Sequence, residues 1–252
     1  DPAWQGSLGS IAALDHAIGT LQTQALLNLI DAAALQAHQV LAVGCHGQTV
    51  HHHPQGTAPS TWQLGDPNLL VAGTGITTVA DLRRRDMAHG GQGAPLVPPF
   101  HQAICPQAAS PQAVLNIGGI ANLTSLGPSN EIRHGFDTGP GNTLMDAWTR
   151  EKLGQAYDQE GQWAATGEVN QALLAAWLKD PYFQATPPKS TGREYFHLAW
   201  LQAGLHGDSN PADVQASLCE LTARSIAGAI HAHAPDCRQV WVCGGGWYNR
   251  TL

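Results

Sequence analysis

Two glycine-rich turns lie between residues 114 and 142, and each follows a strand-like run. The first turn contains Gly118 and Gly119, and the second opens with Asp137. Because glycine has no Cβ, the backbone N–H groups of such turns can approach an anion closely. A carboxylate at the end of a strand can hold a hydrated Mg²⁺ beside that anion. The spacing therefore indicates phosphate handling, with Asp137 on the metal side.

A third glycine loop runs from Gly244 to Gly246, directly after another strand-like run. Any one of these loops alone is typical of an ordinary turn in a sheet. Three such loops in one chain favour a binding role, because each places backbone without a Cβ at the end of a strand, where a ligand can approach it closely.

Two aspartates lie in the segment over residues 80–98, which also contains three consecutive arginines. Asp81 ends a predicted strand, and Asp86 lies in a glycine-rich bend. Burying an unpaired charge is costly, so a buried carboxylate there would serve a function such as general-base catalysis. The alternative is a solvated connector whose carboxylates neutralise the arginines, with Asp81 pairing with Arg83 or Arg84.

The elements that must position these residues follow from hydrophobic periodicity and from glycine and proline. The first part of the chain is predicted to contain a helix over 8–38, strands over 39–44, 62–66 and 76–81, and a helix from Pro67 that is stopped by Gly75. His46 and Gln48 follow the first strand and Asp66 the second. Polar residues at strand ends are common ligand contacts, although a hydrogen-bonded turn would also explain them.

The second part begins with a short helix after Pro98 and a linker at 107–112. We then expect strands over 113–119, 121–127 and 132–136, helices over 144–154 (capped by Asn142), 169–183 and 213–233, and a strand before the third glycine loop. This alternation predicts an α/β fold with mixed sheets flanked by helices. We interpret the chain as two halves, residues 1–109 and 110–252.

Composition narrows the class of protein. Only 12% of the 252 residues are charged and the net charge is −7, so a nucleic-acid-binding surface is not expected. The 43% hydrophobic content supplies a core, and no apolar run reaches the roughly 18 residues of a membrane span. With no leader-like pattern either, we expect a cytoplasmic protein.

Cysteines and histidines do not indicate a metal centre. The five cysteines are scattered without CxxC spacing, which indicates reduced thiols. His51, His52 and His53 are consecutive, so in an extended segment they point to alternate sides and cannot all bind one ion without a special turn.

Seven segments, taken together and in order, resemble the anhydro-N-acetylmuramic acid kinase family. They cover nearly the whole chain: HGQT (46–49), QLGDPNLL (63–70), ADLRRRDMAHGGQGAPLVP (80–98), LNIGGIANLT (115–124), FDTGPGN (136–142), PPKSTGREYF (187–196) and CGGGWYN (243–249). The resemblance implies the actin, sugar kinase and Hsp70 superfamily, in which two ribonuclease-H-like halves close over a nucleotide. It also implies a bacterial cytoplasmic enzyme of peptidoglycan recycling, for which a homodimer is expected.

The resemblance further implies a reaction that uses Mg²⁺, ATP and water. Water opens the 1,6-anhydro bridge of anhydro-N-acetylmuramic acid, and the sugar is phosphorylated to N-acetylmuramic acid 6-phosphate. A general base must activate the water while the departing bridge oxygen faces the γ-phosphoryl group. Asp86 matches the expected position of that base, and Asp81 is the second candidate.

The remaining site residues are also expectations from the resemblance. Gly118, Gly119 and Asn122 resemble the second phosphate loop, Gly139 and Gly141 bend the chain after Asp137, and Gly244, Gly245 and Gly246 resemble the adenosine loop. Asp146 is expected to be an ordinary exposed helix residue. Sugar hydroxyl or lactyl contacts are expected from His46, Gln48 and Asp66. Lys189 and Arg193 would bind the lactyl carboxylate or else form surface salt bridges.

The chain departs from the family pattern at both ends. The loop GxMSGTSxDGxD, which wraps the ATP phosphates, has no counterpart in residues 1–40, and the match ends just after CGGGWYN. We therefore expect an internal piece with an incomplete first half and weak or absent kinase activity. The competing interpretations are another sugar kinase, which phosphorylates a free hydroxyl, and a non-catalytic nucleotide-binding module of the actin or Hsp70 kind.

Overall fold

The computed structural model describes residues 6–205 and 209–252, and its residues group into two units that divide between Gly93 and Ala94. The part before this division is called the first unit and the part after it the second unit. The predicted boundary at residue 109 reflects the polar linker. The helix before that linker packs within the second unit instead, where His101 Nδ1 and Thr124 Oγ1 are 2.8 Å apart.

The first unit contains short strands and three α-helices among its described residues. In chain order they are α1 (Leu8–Ala32), β1 (Val43–Cys45), β2 (Gln48–His53), β3 (Ser60–Leu64), α2 (Pro67–Thr74), β4 (Thr78–Ala80) and α3 (Leu82–Ala88). Strand β1 pairs with β4 in parallel, and β2 pairs with β3 antiparallel.

Capping residues explain where the helices begin and end. Ser7 Oγ accepts from Ser10 N at 3.2 Å at the start of α1. Asp66 Oδ1 accepts from Asn68 N at 2.9 Å at the start of α2, and Gly75, with φ of 69°, ends α2. The predicted glycine stop is thus confirmed. The predicted helix over 8–38 ends earlier, at Ala32, and the strand expected over 39–44 is reduced to β1.

The arginine-rich segment of the first unit also differs from its prediction. The segment with three arginines was expected to be a glycine-rich bend, but Arg83 and Asp86 lie on α3. Nothing breaks the helix before the glycines at 90 and 91, and arginine, leucine and methionine are good helix formers. The bend begins only after Ala88.

The second unit is built on a four-stranded mixed sheet. Its elements are α4 (Pro98–Ile104), β5 (Gln112–Ile117), β6 (Ile120–Leu126), β7 (Ile132–Pro140), α5 (Thr143–Leu153), α6 (Gln171–Trp177), α7 (Pro181–Gln184), α8 (Leu198–Ala203), α9 (Pro211–His233) and β8 (Gln239–Cys243). The strand order is β7-β6-β5-β8, with only the β5–β8 pair parallel. The predicted α/β class with a mixed sheet is confirmed.

Helix α9 carries the core of the second unit. Val214, Leu218 and Leu221 are at most 1% exposed and lie at the i, i+4, i+7 spacing of one helix face. They pack with Phe196 and Leu144, and burying each such side chain contributes about 1.5–3 kcal/mol. The helix predicted over 213–233 is confirmed.

The prediction of a single helix over 169–183 is wrong, because this segment forms two helices, α6 and α7. Pro181 has no N–H to donate and begins α7 instead. Asp180 caps the new helix, its Oδ1 accepting from Tyr182 N at 2.8 Å.

Candidate active site

The glycine turn between β5 and β6 is joined to the start of α5. The carbonyl of Gly118 accepts from Asn142 N at 2.8 Å, and that of Gly119 accepts from Gly141 N at 2.9 Å. A Cβ on Gly141 would lie only 2.3 Å from Gly118 O, so this close approach requires glycine. The first two predicted glycine turns therefore form one structure.

The same turn presents unpaired donors. Within the described chain, the amide N–H groups of Gly118 and Gly119 donate to no acceptor. They lie next to the first residues of α5, a helix of 11 residues whose N-terminus carries a partial positive charge. Amide donors beside a helix N-terminus form a favourable anion site.

Asn142 is the N-cap residue of α5, as predicted, but its side chain accepts no hydrogen bond from the helix start. Its backbone already has helical angles, with φ of −83° and ψ of −13°. Its Nδ2 donates to Ile117 O at 3.4 Å instead, which ties the helix start to β5.

A cavity of about 450 Å³ adjoins this turn within the second unit. Its wall is formed by one face of α5, the segment after it and the third glycine loop: Asn142, Met145, Asp146, Tyr157, Asp158, Gln159, Glu160, Gly245, Tyr248 and Asn249. Such a volume lies within the usual range for small-molecule sites, and the two tyrosines give it aromatic surface.

The third glycine loop passes directly over the end of β5. A Cβ on Gly246 would lie 2.3 Å from Ile117 Cγ2, and one on Gly244 would lie 2.6 Å from Ile117 O. Gly244 also has φ of 89°, which favours glycine. Close backbone packing of this kind brings Gly245 into the cavity wall.

Asp137 is buried, with 4% of its surface exposed, near the end of β7. Its Oδ2 accepts from Thr191 N at 3.0 Å and its carbonyl accepts from Tyr182 Oη at 2.7 Å. Asn122 lies opposite Asp137 across the β6–β7 pair, so both side chains share one face. In the described residues Asn122 Oδ1 is buried without a hydrogen-bond partner.

This donor set is compatible with a hydrated cation. Mg²⁺ is commonly held by one or two carboxylates together with water and substrate phosphates. Asp137 and the unsatisfied Asn122 oxygen suit that mode. A group of three or more His, Cys, Asp or Glu side chains able to form a complete protein cage is not found in the described ranges.

Lys189 is buried, so a surface salt bridge is wrong for this residue. Its Nζ donates to Tyr182 O at 3.0 Å and lies 4.6 Å over the Tyr182 ring. Burial lowers the pKa of Lys189, and the negative charge of Asp137 opposes that shift. The lysine therefore supports the strand segment that carries Asp137.

In the first unit, hydrogen bonds connect His46, Arg83, Gly93 and Asp86. Arg83 Nε donates to His46 Nε2 at 2.8 Å, and its Nη1 donates to Gly93 O at 2.7 Å. Gly93 N in turn donates to Asp86 Oδ2 at 2.7 Å. Since His46 Nε2 accepts, Nδ1 carries the proton that is donated to Gly47 O at 2.9 Å.

Asp81 and Asp86 differ in their surroundings. Asp81 forms an exposed ion pair with Arg84, with Oδ1 and Nε 2.6 Å apart, as one interpretation predicted. Asp86 is half-buried and held by the backbone of the bend. Asp66 acts as a helix cap, and Gln48 begins β2 as an exposed residue.

Several residues were missed or misjudged from the sequence. Asp146 is half-buried and lines the cavity rather than lying exposed. Burial raises the pKa of Asp146, and Arg150 and Arg193 partly oppose this rise. Its spacing of four residues after Asn142 placed it on the same helix face and could have revealed it. Tyr157 also lines the cavity, and no pattern in the sequence indicated this position.

Strand β2 alternates as expected, with His52 buried and His51 and His53 exposed. Thr61 Oγ1 donates to His51 O at 3.2 Å, so it accepts from His52 Nδ1 at 3.1 Å. Burial, with Arg83 and the two adjacent histidines, lowers the pKa of His52 to about 4. The described helices include none that is both long and apolar enough to cross a membrane.

The mixed sheet, the glycine turn on a helix start and the adjoining cavity define an α/β protein of the actin-like ATPase fold. The sequence model of the family described as anhydro-N-acetylmuramic acid kinase matches residues 3–252. The chain belongs to the anhydro-N-acetylmuramic acid kinase family, as the seven segments predicted.

Two relatives illustrate the similarity. The chain is 52% identical over 248 residues to the anhydro-N-acetylmuramic acid kinase of Coxiella burnetii (strain RSA 493 / Nine Mile phase I), covering 98% of this chain and 67% of the relative. It is 50% identical over 249 residues to the enzyme of the same name from Pasteurella multocida (strain Pm70), covering 98% and 66%. The chain thus spans about two thirds of the length of these relatives.

Proposed function

We propose that this chain carries out the ATP-dependent kinase reaction for which its relatives are named. Water opens the 1,6-anhydro bridge of anhydro-N-acetylmuramic acid, and the γ-phosphoryl group passes to the oxygen released at C6. The products are N-acetylmuramic acid 6-phosphate and ADP, formed in the cytoplasm during peptidoglycan recycling. The observation that carries this proposal is the glycine turn with two unpaired amides beside the cavity of about 450 Å³.

The nucleotide occupies the second unit. Adenosine lies in the cavity against Gly244, Gly245 and Gly246, and its phosphates reach the amides of Gly118 and Gly119. Gly139 and Gly141 let the chain turn closely after Asp137; Gly139 has φ of 152°, and a Cβ on it would lie 2.8 Å from Phe183 Cε1. These contacts provide the fixed dipoles that phosphoryl transfer requires.

Asp137 and Asn122 hold the magnesium side of the phosphates. When bound there, Mg²⁺ would neutralise charge that develops on the transferring phosphoryl group. The Thr191 amide fixes the Asp137 carboxylate for this role. The Asp137 backbone is held as well, because its N–H donates to Lys189 O and its carbonyl accepts from Tyr182 Oη.

Asp86 is our candidate for the base that accepts a proton from the attacking water. One of its oxygens is fixed by Gly93 N, which orients the carboxylate and leaves the second oxygen for water. Asp81 is the weaker candidate, because its carboxylate is already paired with Arg84. His46, Gln48 and Asp66 are proposed contacts to the sugar, as is Lys189.

The test is turnover of the full chain with ATP, Mg²⁺ and the anhydro sugar in oxygen-18 water. The expected product carries oxygen-18 at the anomeric carbon and phosphate at C6, as read by mass spectrometry and phosphorus NMR. A phosphorylated product without the isotope would identify a kinase that uses a free hydroxyl. Binding of nucleotide without any binding of the anhydro sugar would favour a non-catalytic module.

Matched aspartate variants identify the base. Asp86→Asn should lower the turnover number about 100-fold or more while leaving nucleotide affinity unchanged. Asp81→Asn should retain most activity, and Asp137→Asn should weaken the response to Mg²⁺. If Asp137→Asn instead removes water attack with nucleotide and Mg²⁺ affinity intact, the base is Asp137 and the assignment of Asp86 is wrong.

A homodimer is proposed from the family relationship alone. Light scattering after size exclusion would give twice the chain mass of 26.6 kDa if it is correct. A mass equal to one chain at concentrations used for turnover would exclude it.

A further inference from the structure

The loop from Lys189 to Phe196 carries an arginine that lies on the glycine turn. A Cβ built on Gly119 would lie 3.4 Å from Nη2 and 3.5 Å from Nε of Arg193. The edge of the guanidinium is therefore in van der Waals range of the residue whose amide N–H is unpaired. Both donor groups belong to the second unit.

The loop is anchored on both sides of this arginine. Thr191 N donates to Asp137 Oδ2 at 3.0 Å, and Phe196 N donates to Gly192 O at 3.1 Å. Phe196 is fully buried in the core of the second unit. The backbone that carries Arg193 is thereby fixed, while its side chain is exposed to solvent.

The guanidinium of Arg193 has unused hydrogen-bonding capacity. Among the described residues it forms no ion pair within 4.0 Å, although Asp146 is near enough to influence it electrostatically. Asp146 lines the cavity, so the guanidinium lies within electrostatic range of that wall. Five N–H donors in a planar fork thus lie beside Gly119, in the turn that carries the two unpaired backbone amides.

We infer that Arg193 binds the phosphate chain of the nucleotide, sharing its oxygens with the amides of Gly118 and Gly119, and does not bind the lactyl carboxylate of the sugar. This inference rests on the proposed function and specifies the donors of its phosphate site. A guanidinium binds phosphate oxygens through two parallel N–H bonds, which a lysine cannot reproduce. The ligand class is a diphosphate or triphosphate, because Gly118, Gly119 and Arg193 do not line the cavity and a chain of phosphates would join them to a nucleoside bound there.

The test uses the full chain labelled with nitrogen-15 and titrated separately with tripolyphosphate and AMP. Tripolyphosphate should shift the amide signals of Gly118 and Gly119 and the Nε–H signal of Arg193. Arg193→Gln should weaken tripolyphosphate and ADP binding by about 10- to 100-fold, the usual loss for hydrogen bonds to a charged group. Arg193→Lys should lose less, because it retains the charge without the fork.

Arg150→Gln is the matched control. Arg150 is an exposed arginine on α5 that also acts on Asp146, so its removal changes the local charge equally. Its tripolyphosphate affinity should stay within about two-fold of the unchanged chain, since an exposed charge that acts only from a distance, without hydrogen bonds to the ligand, is well screened. Equal losses in the two variants would overturn the inference, as would undiminished tripolyphosphate affinity in Arg193→Gln.

The two ligands separate this inference from the proposed function. Binding of tripolyphosphate without AMP would contradict the adenosine site while supporting the role of Arg193. Binding of AMP without tripolyphosphate would leave the cavity assignment intact and overturn the role of Arg193. Arg193→Gln should bind AMP unchanged, and loss of anhydro sugar binding alone in this variant would return Arg193 to the lactyl carboxylate.

Discussion

The glycine turns of the second unit and the arginine-rich segment of the first unit use different chemistry. In the second unit the proposed binding groups are mainly the backbone amides of Gly118 and Gly119, in a turn whose close approach to α5 leaves no room for a Cβ on Gly141. In the first unit they are side chains, and most already bind the protein itself: Asp81 to Arg84, Asp66 to a helix start, and Arg83 to His46. Backbone sites are specified by glycine positions, whereas side-chain sites depend on which partners the fold supplies.

The largest expected effect comes from filling the backbone site. Gly141→Ala places a Cβ 2.3 Å from Gly118 O, so the bond between the turn and α5 must break or shift. We expect a loss of about 1–3 kcal/mol in the free energy of unfolding, as for other overpacked sites, and a loss of nucleotide binding. Denaturant unfolding and nucleotide titration measure the two effects.

Gly228→Ala is the control for this substitution. Gly228 lies within α9 and a Cβ there meets no heavy atom within 4 Å, so alanine should stabilise the helix by up to about 1 kcal/mol. If Gly141→Ala behaves like Gly228→Ala, the close approach of the two turns is not what shapes the site.

Acid sensitivity provides a second test, now on the side-chain region. The pKa of His52 is about 4 in the folded chain and near 6.5 when unfolded, so the unfolded state binds more protons between these values. The stability contributed by neutral His52 is complete above pH 6.5 and is lost as the pH falls toward 4. His52→Gln should flatten the decline in unfolding free energy over that window.

His38→Gln is the comparison, because His38 lies exposed after α1. The unfolding free energy of His38→Gln should depend on pH in the same way as that of the unchanged chain. A decline that persists in His52→Gln would show that other groups cause the acid sensitivity.

A smaller effect is expected from the helix cap. Asp66→Ala removes the acceptor of the Asn68 amide and should cost about 1 kcal/mol of unfolding free energy. Asp66→Asn retains an acceptor and should cost only a fraction of that value. If Asp66→Ala instead lowers sugar affinity without changing stability, Asp66 is primarily a ligand contact.

The smallest effect is expected at the exposed ion pair. A double-mutant cycle of Asp81→Asn and Arg84→Gln should give a coupling of at most about 1 kcal/mol that decreases in high salt. A larger coupling that salt does not screen would mean that the pair is buried in solution and that Asp81 must be reconsidered.

The sequence predicted the elements whose signals are local. Helix α2 between Asp66 and Gly75, helix α9 and the strands around Gly118 could be placed because caps, proline, glycine and hydrophobic spacing act within a few residues. Pro181 is also a local signal, and it could have indicated from the sequence that the helix predicted over 169–183 is divided.

Contacts between distant segments could not be predicted in this way. The burial of Lys189 depends on Tyr182 and on β7, and the half-buried state of Asp146 depends on the cavity that Tyr248 helps to form. Sequence identified Arg193 as a candidate binding residue but not its position on Gly119, because that position is set by the packing of Phe196.

The carbonyls of the glycine turn accept three hydrogen bonds, from the amides of Gly141, Asn142 and Thr143. A turn held in this way cannot flex to release a bound anion without first giving up those bonds. Dissociation should therefore be governed by the ligand's outward contacts, which an exposed arginine side chain can exchange rapidly with solvent. The hydrogen-bonded glycine turn and the exposed arginine should therefore affect binding in different ways. Substitutions in the turn should change whether an anion binds, and substitutions of Arg193 should change how fast it dissociates.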